Sequence, residues 1–232
     1  AHSIGALGKT GRGITEHLGC DFNDIDILMG TFSKSFASAG GYIASDKKTI
    51  ALLRSNCYSY VYGNPMSPVE AQQIVSCFRF IKSEDGQRRI AQLRKSSINL
   101  RQKLKDAGCH VLGDLDSPVI PVMIYHEAKI KDISRSCLKN GVAIVVVGYP
   151  ACPINAGRIR LCISASHTDE DIEKCFNVTM QAMNEVGCVF GDTPMPANIY
   201  KAPIVDLAKL ENLPKNPRKM VPLWENSDKR SI

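Results

Sequence analysis

Apolar residues recur along this chain with two periods, one typical of strands and one of helices. Residues 25–29 form a short apolar run, which predicts a buried strand. Polar and apolar residues alternate from residue 158 to residue 164, which predicts a strand with one face toward a core. Between residues 85 and 107 the apolar positions fall on one helical face; they are Ile90, Leu93, Leu100 and Leu104.

Capping and turn residues extend this pattern to the whole chain. Ser67, Pro68 and Glu70 form a capping box with proline at the first helical position, so a helix is expected from there to about Lys82. Further helices are predicted at 14–18, 128–139 and 168–187, and further strands at 41–45, 119–125 and 142–147. The alternation indicates an α/β protein. Residues 191–232 are rich in proline without a sustained period, which predicts an irregular tail.

The segment after the first predicted strand carries the clearest chemistry. Lys34 stands between hydroxyl residues, with Thr31 and Ser33 before it, and the pair Gly40–Gly41 follows. A lysine amine can form a Schiff base with a carbonyl cofactor, and hydroxyls and turn N–H groups can hold a phosphate. Glycines let the backbone approach such a phosphate closely. This arrangement suits the chemistry of pyridoxal phosphate, or PLP.

Several separated motifs occur in the order found in one enzyme family. The chain resembles the α-oxoamine synthases, and among them the lysine-bearing subunits of serine palmitoyltransferases. The resemblance covers residues 1 to about 190 and is carried by residues 1–13, 29–35, 40–43, 62–68, 145–153 and 158–168. It implies the C-terminal part of a fold-type I PLP-dependent transferase, an α/β fold.

The same resemblance predicts how the chain is organised. Residues 1–85 would form the second half of the large, PLP-binding domain, and residues 86–190 an interdomain helix with the small C-terminal domain. Residues 191–232 are the predicted tail. In the family, an aspartate that pairs with the pyridinium nitrogen of PLP stands just before the motif that begins at Ala1. The resemblance therefore implies a longer protein, of which this chain is the C-terminal portion.

The resemblance also assigns roles to individual residues around the cofactor. Lys34 and His2 would be the catalytic residues: Lys34 would hold PLP and act as the base, and His2 would contact the phenolic oxygen of PLP. Thr31 and Ser33 match the family's contacts to the phosphate and the ring. Asn64 stands where the family usually has a serine or threonine that reaches the PLP phosphate of the neighbouring subunit, and its amide N–H₂ could substitute.

A substrate carboxylate is expected to bind on the strand at 158–164. Arg158 and Arg160 point to the same face of this strand, and a guanidinium can hold a carboxylate through two parallel hydrogen bonds. The residues alone leave both arginines open, whereas the resemblance favours Arg160. The segment from Pro150 to Pro153 resembles the family's P-A-T-P loop, with Cys152 in place of threonine.

The implied reaction is the decarboxylating condensation of L-serine with palmitoyl-CoA to 3-oxosphinganine, the first step of sphingolipid synthesis. The resemblance implies a heterodimer with a lysine-free partner subunit at the cytosolic face of the endoplasmic reticulum membrane. Two alternatives remain open. One is another α-oxoamine synthase, of the 5-aminolevulinate or 8-amino-7-oxononanoate type. The other is a non-catalytic truncated chain that only binds the partner subunit.

Composition narrows the class of protein further. The net charge of +6 is mild and spread out, which could favour an anionic membrane surface or the phosphates of coenzyme A but is not the basic stripe of a nucleic-acid-binding protein. Nine cysteines are scattered without a C-x-x-C pair, which indicates reduced thiols rather than a disulfide framework or a metal site. No apolar run is long enough for a membrane span, so membrane association is expected through other segments or the partner.

Overall fold

The structure is a computed structural model that describes residues 1–196. The chain divides into two units, residues 1–194 and residues 195–232, and the first contains every element below. The predicted tail at 191–232 lies almost entirely outside the described residues. The helices are α1 (Ile14–Leu18), α2 (Lys47–Asn56), α3 (Tyr58–Val61), α4 (Pro68–Lys82), α5 (Glu84–Asp106), α6 (Glu127–Lys139) and α7 (Asp169–Glu185). The strands are β1 (Leu28–Thr31), β2 (Gly41–Ala44), β3 (Val119–Tyr125), β4 (Val145–Val147) and β5 (Gly157–Cys162).

The first sheet is an antiparallel hairpin of β1 and β2, in which Leu28 pairs with Ala44 and Thr31 with Gly41. The strand predicted at residues 25–29 therefore begins later and ends later than expected. The apolar run predicts the wrong bounds because main-chain hydrogen bonds with β2 define this strand. The side chains of Ile27 and Met29 remain exposed. The hairpin places residues 32–40, with Lys34, in the loop between the two strands.

Helices α4 and α5 follow the predicted boundaries closely. The side chain of Ser67 accepts a hydrogen bond from the Glu70 amide, and the Glu70 carboxylate accepts one from the Ser67 amide. Ser83 caps α5, whose 23 residues span about 35 Å at 1.5 Å per residue. Leu100 and Leu104 are fully buried on the face of α5 that the sequence pattern predicts.

Helix α2 has no counterpart among the predicted elements. Its amino terminus is capped by Asp46, whose carboxylate accepts hydrogen bonds from the amides of Lys48 and Thr49. None of its residues is buried. The feature of the sequence that could have indicated this helix is Asp46, because aspartate is a preferred residue at helix N-caps.

The second sheet has the strand order β3-β5-β4 and is antiparallel throughout. Its central strand β5 confirms the predicted alternation, because Ile159 and Leu161 are buried whereas Arg158 and Arg160 are only partly so. One core joins this sheet to helices α5, α6 and α7, and its fully buried members include Leu100, Ile120, Ile133, Ile159 and Met183. Strand β3 agrees with its predicted bounds, whereas β4 is shorter because only three of its residues pair with β5.

A buried arginine organises the connection between α5 and β3. The guanidinium of Arg101 donates hydrogen bonds to the carbonyls of Leu112, Gly113, Ser117 and Val119, with a distance of 2.9 Å to Val119. Desolvation lowers the pKa of Arg101, although the charges of Asp114 and Asp116 act in the opposite direction. Four carbonyls on one side chain fix residues 112–119 as a rigid loop. Among residues 1–196, no helix combines the length and apolar composition needed to cross a membrane.

Candidate active site

Lys34 lies exposed in the loop between β1 and β2, on a scaffold that is itself well anchored. The aromatic rings of Phe32 and Phe36 are buried on either side of it and pack edge-to-face, with 5.3 Å between centroids. The Phe32 amide donates to the Gly40 carbonyl at 2.9 Å and closes the loop. Because both phenylalanines are buried in the small core against Ile74, the loop presents the Lys34 amine to solvent from a fixed base.

Two hydroxyl groups stand next to this lysine, as the sequence predicts. The Thr31 and Ser33 hydroxyl oxygens are 2.9 Å apart, and the Ser33 amide donates to the Thr31 oxygen at 3.3 Å. The Thr31 hydroxyl also donates to the Gly40 carbonyl at 3.2 Å. The pair therefore forms a compact set of hydroxyl groups where β1 ends, which is suitable for a phosphate or a ring substituent.

The glycine pair is required by the close approach of the two strands. Gly40 adopts a φ of 84°, a conformation that side chains with a Cβ rarely adopt. A Cβ on Gly41 would lie 2.6 Å from the Gly30 carbonyl oxygen, which is closer than any real contact of that kind. Gly40 and Gly41 thus allow the loop to return tightly beside the hydroxyl pair.

Electrostatics links His2, Lys34 and Arg160, which are far apart in the sequence. The imidazole of His2 remains exposed, yet its pKa lies below the ordinary value of 6.5. Partial desolvation is the main cause, and the positive charges of Lys34, the Ala1 amino group and Arg160 add to it. The charges of a lysine from the first hairpin and of an arginine from the second sheet therefore both disfavour protonation of this histidine.

Arg160 lies on the central strand of the second sheet, between Pro121 of β3 and Val145 of β4. Its Nε donates a hydrogen bond to the Cys162 sulfur at 3.2 Å, which restrains the direction of the guanidinium. Arg158 shares this face of the strand, but Arg160 is the arginine whose charge acts on His2. The choice of Arg160 over Arg158 as the partner of a substrate carboxylate stays a prediction.

Asn64 is the one predicted site residue that the structure does not join to the others. It is exposed in the segment between α3 and α4. Within residues 1–196, no hydrogen bond or ion pair connects it to the residues named above. Its predicted contact with the phosphate of a neighbouring subunit stays a prediction.

The loop that follows β4 is held by a residue that sequence reasoning missed. The Glu127 carboxylate, in the first turn of α6, accepts a hydrogen bond from the Tyr149 amide. Cys152 is buried in this loop, where its amide donates to the Gly148 carbonyl at 3.2 Å, and the Tyr149–Pro150 peptide bond is cis. Acidic residues are common in the first turn of helices, so the presence of Glu127 there does not predict its hydrogen bond with Tyr149.

The chemistry of these side chains fits PLP. In the described part of the chain, Lys34 forms no ion pair that would block its amine, and the Thr31–Ser33 hydroxyls lie within three residues of it. His2 adds an imidazole whose neutral form is favoured. An amine for the aldehyde, hydroxyls for the phosphate and an imidazole for the phenolic oxygen are the groups that this cofactor requires.

Comparison with known proteins identifies the family. The family model "Aminotransferase class I and II" matches residues 1–178. Long chain base biosynthesis protein 2b of Oryza sativa subsp. japonica is 48% identical over 213 residues, which are 90% of this chain and 42% of that protein. Serine palmitoyltransferase 2 of Dictyostelium discoideum is 52% identical over 177 residues, 75% of this chain and 36% of that protein. The chain thus spans about two fifths of the length of these relatives.

Solved structures agree with these sequence matches. Serine palmitoyltransferase of Sphingomonas wittichii superposes with a TM-score of 0.75 at 28% identity, over 82% of this chain and 47% of that one. A high-resolution structure of SPT with a PLP internal aldimine has the same TM-score and coverage at 26% identity. These matches confirm the predicted fold class and indicate PLP as the cofactor. The chain belongs to the aminotransferase class I and II family and has the fold of part of a fold-type I PLP-dependent enzyme.

Proposed function

We propose that this chain is the C-terminal portion of a lysine-bearing serine palmitoyltransferase subunit. In the complete enzyme it would condense L-serine with palmitoyl-CoA to give 3-oxosphinganine, coenzyme A and CO₂. The observation that carries the proposal is the β1–β2 loop, which presents the Lys34 amine beside the paired hydroxyls of Thr31 and Ser33 and is closed by the hydrogen bond from the Phe32 amide to the Gly40 carbonyl. The named relatives support the choice of reaction within the family.

Lys34, Thr31, Ser33 and His2 are the residues that would hold PLP. The Lys34 amine would bind it covalently, the two hydroxyls would contact its phosphate and ring, and the His2 imidazole would face its phenolic oxygen. Bound PLP supplies an electron sink that stabilises negative charge on the α-carbon of an attached amino acid. Because the lowered pKa of His2 favours the neutral imidazole, this residue would take part in hydrogen bonding rather than add a third positive charge.

Arg160 would bind the carboxylate of L-serine. Its planar guanidinium can make two parallel hydrogen bonds to that group, which fixes the orientation of the α-carbon. In the proposed site, a serine held by Arg160 would present its α-carbon to the Lys34 amine. Arg160 thus orients the bonds at the α-carbon that the reaction must break and form.

Lys34 would remove the proton from the α-carbon of serine and later return it. Its free amine would accept the α-proton of bound serine. The α-carbon then forms a bond to the acyl carbon of palmitoyl-CoA, while the carbon–sulfur bond breaks and coenzyme A leaves as a thiolate that takes a proton from solvent. The bond from the α-carbon to the carboxylate breaks with loss of CO₂, and the Lys34 ammonium returns a proton to that carbon.

The same proposal includes a lysine-free partner subunit and the cytosolic face of the endoplasmic reticulum membrane. Large apolar side chains exposed near the hairpin are consistent with further protein covering this region. Tyr58 and Tyr62 of the α3 segment are about four-fifths exposed, with 80% and 79% of their surface accessible, and their rings stack 6.1 Å apart. Burial of two aromatic rings is a common source of binding energy at subunit interfaces.

A product assay tests the reaction. The subunit containing this chain, assembled with its upstream half and the partner, is supplied with palmitoyl-CoA and L-serine, glycine or L-alanine. Release of coenzyme A and formation of the long-chain ketone with serine alone are expected. A product from glycine or alanine instead would indicate another α-oxoamine synthase. A Lys34→Ala subunit in the same complex controls for background hydrolysis of the thioester.

Residues 1–232 alone are expected to bind PLP weakly and not to catalyse acyl transfer. The pyridinium-nitrogen partner expected from the family is an aspartate that precedes the motif at Ala1. Without that carboxylate the ring nitrogen is less readily protonated, so the electron sink is weaker. Absorbance near the edge of the visible range would show whether this chain holds PLP. A monodisperse chain with stoichiometric PLP that releases coenzyme A in the presence of serine would contradict this expectation.

A further inference from the structure

Asp116 forms an ion-pair cluster with residues from two separate helices. Its Oδ2 lies 3.4 Å from Nε2 of His17, at the end of α1, and 3.4 Å from a terminal nitrogen of Arg94, in the middle of α5. The Asp116 side chain is 15% exposed and that of His17 is 25% exposed. The Arg94 side chain is 64% exposed, so solvent screens its pair with Asp116 more than it screens the contact with His17. We call these three residues the Asp116 cluster.

Asp116 is held rigidly on its own side of the cluster. It belongs to the loop whose carbonyls at Leu112, Gly113 and Ser117 accept hydrogen bonds from Arg101. The backbone amide of Ser117 also donates to the carbonyl of Asp114 at 3.2 Å, which closes a turn around Asp116. The carboxylate is therefore presented to His17 and Arg94 by a preformed loop.

This loop is joined directly to the strand pair that carries Arg160. The Leu112 amide donates to the Pro121 carbonyl at 2.9 Å. Pro121 stands opposite Arg160 in the register of β3 and β5. One backbone hydrogen bond and one cross-strand pair thus separate the Asp116 loop from the residue proposed to bind the substrate carboxylate.

The other side of the cluster leads to His2 through a chain of backbone hydrogen bonds. The amide of His17 donates to the Gly13 carbonyl at 3.1 Å, and the Gly13 amide donates to the Leu7 carbonyl at 3.0 Å. The Leu7 amide in turn donates to the carbonyl of Ser3 at 2.8 Å, one residue from His2. A Cβ on Gly13 would lie 2.8 Å from the Ser3 hydroxyl oxygen, so this glycine-rich segment is closely packed.

We propose that Asp116 is a positioning residue that ties the segment carrying His2 to the sheet carrying Arg160. It touches neither cofactor nor substrate; it sets the separation between the group that faces the cofactor and the group that holds the carboxylate. The kinetic consequence of this role rests on the proposed function, whereas the structural tie does not. Loss of the carboxylate should loosen residues 3–19 relative to the second sheet.

Hydrogen exchange followed by mass spectrometry tests the structural tie. Asp116→Asn removes the charge and keeps the shape of the side chain, and exchange of amides in residues 3–19 should become about three- to tenfold faster. Asp114→Asn is the matched control, because Asp114 lies in the same loop and its charge also acts on Arg101, while the side chain is exposed and outside the cluster. Equal exchange in both variants would overturn the proposal.

Kinetics of the complete enzyme test the positioning role. Asp116→Asn should raise the KM for serine about three- to tenfold, leave the KM for palmitoyl-CoA unchanged and spare the PLP absorbance, whereas Asp114→Asn should change none of these. Adding Arg94→Gln to Asp116→Asn should cause little further loss, since both variants break the same pair. Fully additive effects, or equal increases in both KM values, would exclude the positioning role.

The exchange and kinetic experiments distinguish a failure of the Asp116 proposal from a failure of the proposed function. If the complete enzyme does not use serine while exchange still differs between the Asp116 and Asp114 variants, the proposed function is wrong and the tie stands. If the enzyme uses serine normally in the Asp116→Asn variant, the positioning role is wrong and the proposed function is unaffected.

Discussion

The two regions that meet near His2 differ in how much of their own apolar surface they bury. Residues 107–190, together with the end of α5, enclose a core cluster of sixteen buried residues. The hairpin region, residues 1–82, has a cluster of three, namely Phe32, Phe36 and Ile74. At about 25 cal/mol per Å² of apolar surface buried, the larger core supplies most of the stability of the described residues.

This difference separates the two tasks of the proposed site. Lys34 and the hydroxyl pair belong to the sparsely packed region, which also exposes the side chains of Ile27, Met29 and Ile43. Arg160 belongs to the densely packed sheet, where its neighbours Ile159 and Leu161 are buried. The cofactor chemistry therefore depends on a region with little core of its own, and recognition of the carboxylate on a region that stabilises itself.

The largest effect is expected from Lys34→Ala in the complete enzyme. This change removes the amine that would both hold PLP and carry the proton, so turnover should fall by about a thousandfold or more and the bound-cofactor absorbance should disappear. Lys34 is exposed, so the melting temperature of the cofactor-free protein should not change. Lys47→Ala, at an exposed lysine of α2, serves as the control. Retention of near-normal turnover would remove Lys34 from the mechanism.

A proteolysis experiment on the chain of residues 1–232 tests the packing difference directly. Cleavage within the first sixty or so residues should be about tenfold to a hundredfold faster than cleavage within residues 108–190, because protease reaches segments that open at low free-energy cost. Mass spectrometry of the resistant products measures the boundary. A resistant core that includes the hairpin, or early cuts in β3 or β5, would show that the hairpin region does not depend on further surfaces.

The sequence predicts several elements of both regions accurately. Strand β3 and helices α4 and α6 agree with the predicted bounds to within one residue, because apolar periodicity and capping residues act locally. In the hairpin region the apolar run at residues 25–29 misplaced β1, and α2 was missed. Neither element buries an apolar side chain, and their bounds are set by main-chain hydrogen bonds between β1 and β2 and by the Asp46 cap.

For the candidate site, the residue types near Lys34 could be predicted but their meeting with Arg160 could not. The hydroxyls and glycines follow from a motif within twelve residues of sequence. The approach of Arg160 to His2 depends on two sheets and on contacts between residues about a hundred positions apart, such as His17 with Asp116. Tertiary ion pairs of this kind leave no periodic or spacing signal in a single sequence.

Arg160→Lys tests whether the second sheet binds the carboxylate of the substrate. Lysine keeps the charge but loses the planar pair of donors, and a charge-assisted hydrogen bond contributes about 1.5–3 kcal/mol. Loss of one such bond should raise the KM for serine about tenfold to a hundredfold with a smaller change in kcat. Arg158→Lys is the matched control on the same face of β5. An unchanged KM in Arg160→Lys together with an impaired Arg158→Lys would assign the carboxylate to Arg158.

The smallest effect, and the most direct test that the two regions meet, concerns the titration of His2. In the cofactor-free chain, its imidazole pKa measured by NMR should lie below the ordinary 6.5, because desolvation and neighbouring positive charges disfavour the protonated ring. Lys34→Met should raise the His2 pKa by removing a charge within the same region. Arg160→Met should raise it by a smaller amount, and any rise requires the second sheet to lie near His2. Lys47→Met should leave it unchanged.

The direction of this shift also fixes its effect on stability. Since the folded chain binds the proton less readily than the unfolded chain, the contribution of His2 to the free energy of unfolding is fully present above the ordinary histidine pKa and is lost as the pH falls through the folded value. The loss should be slight because the ring is exposed. If His2 titrates normally and Arg160→Met has no effect, Arg160 and Lys34 do not share a site, and the division of tasks between the two regions would have to be abandoned.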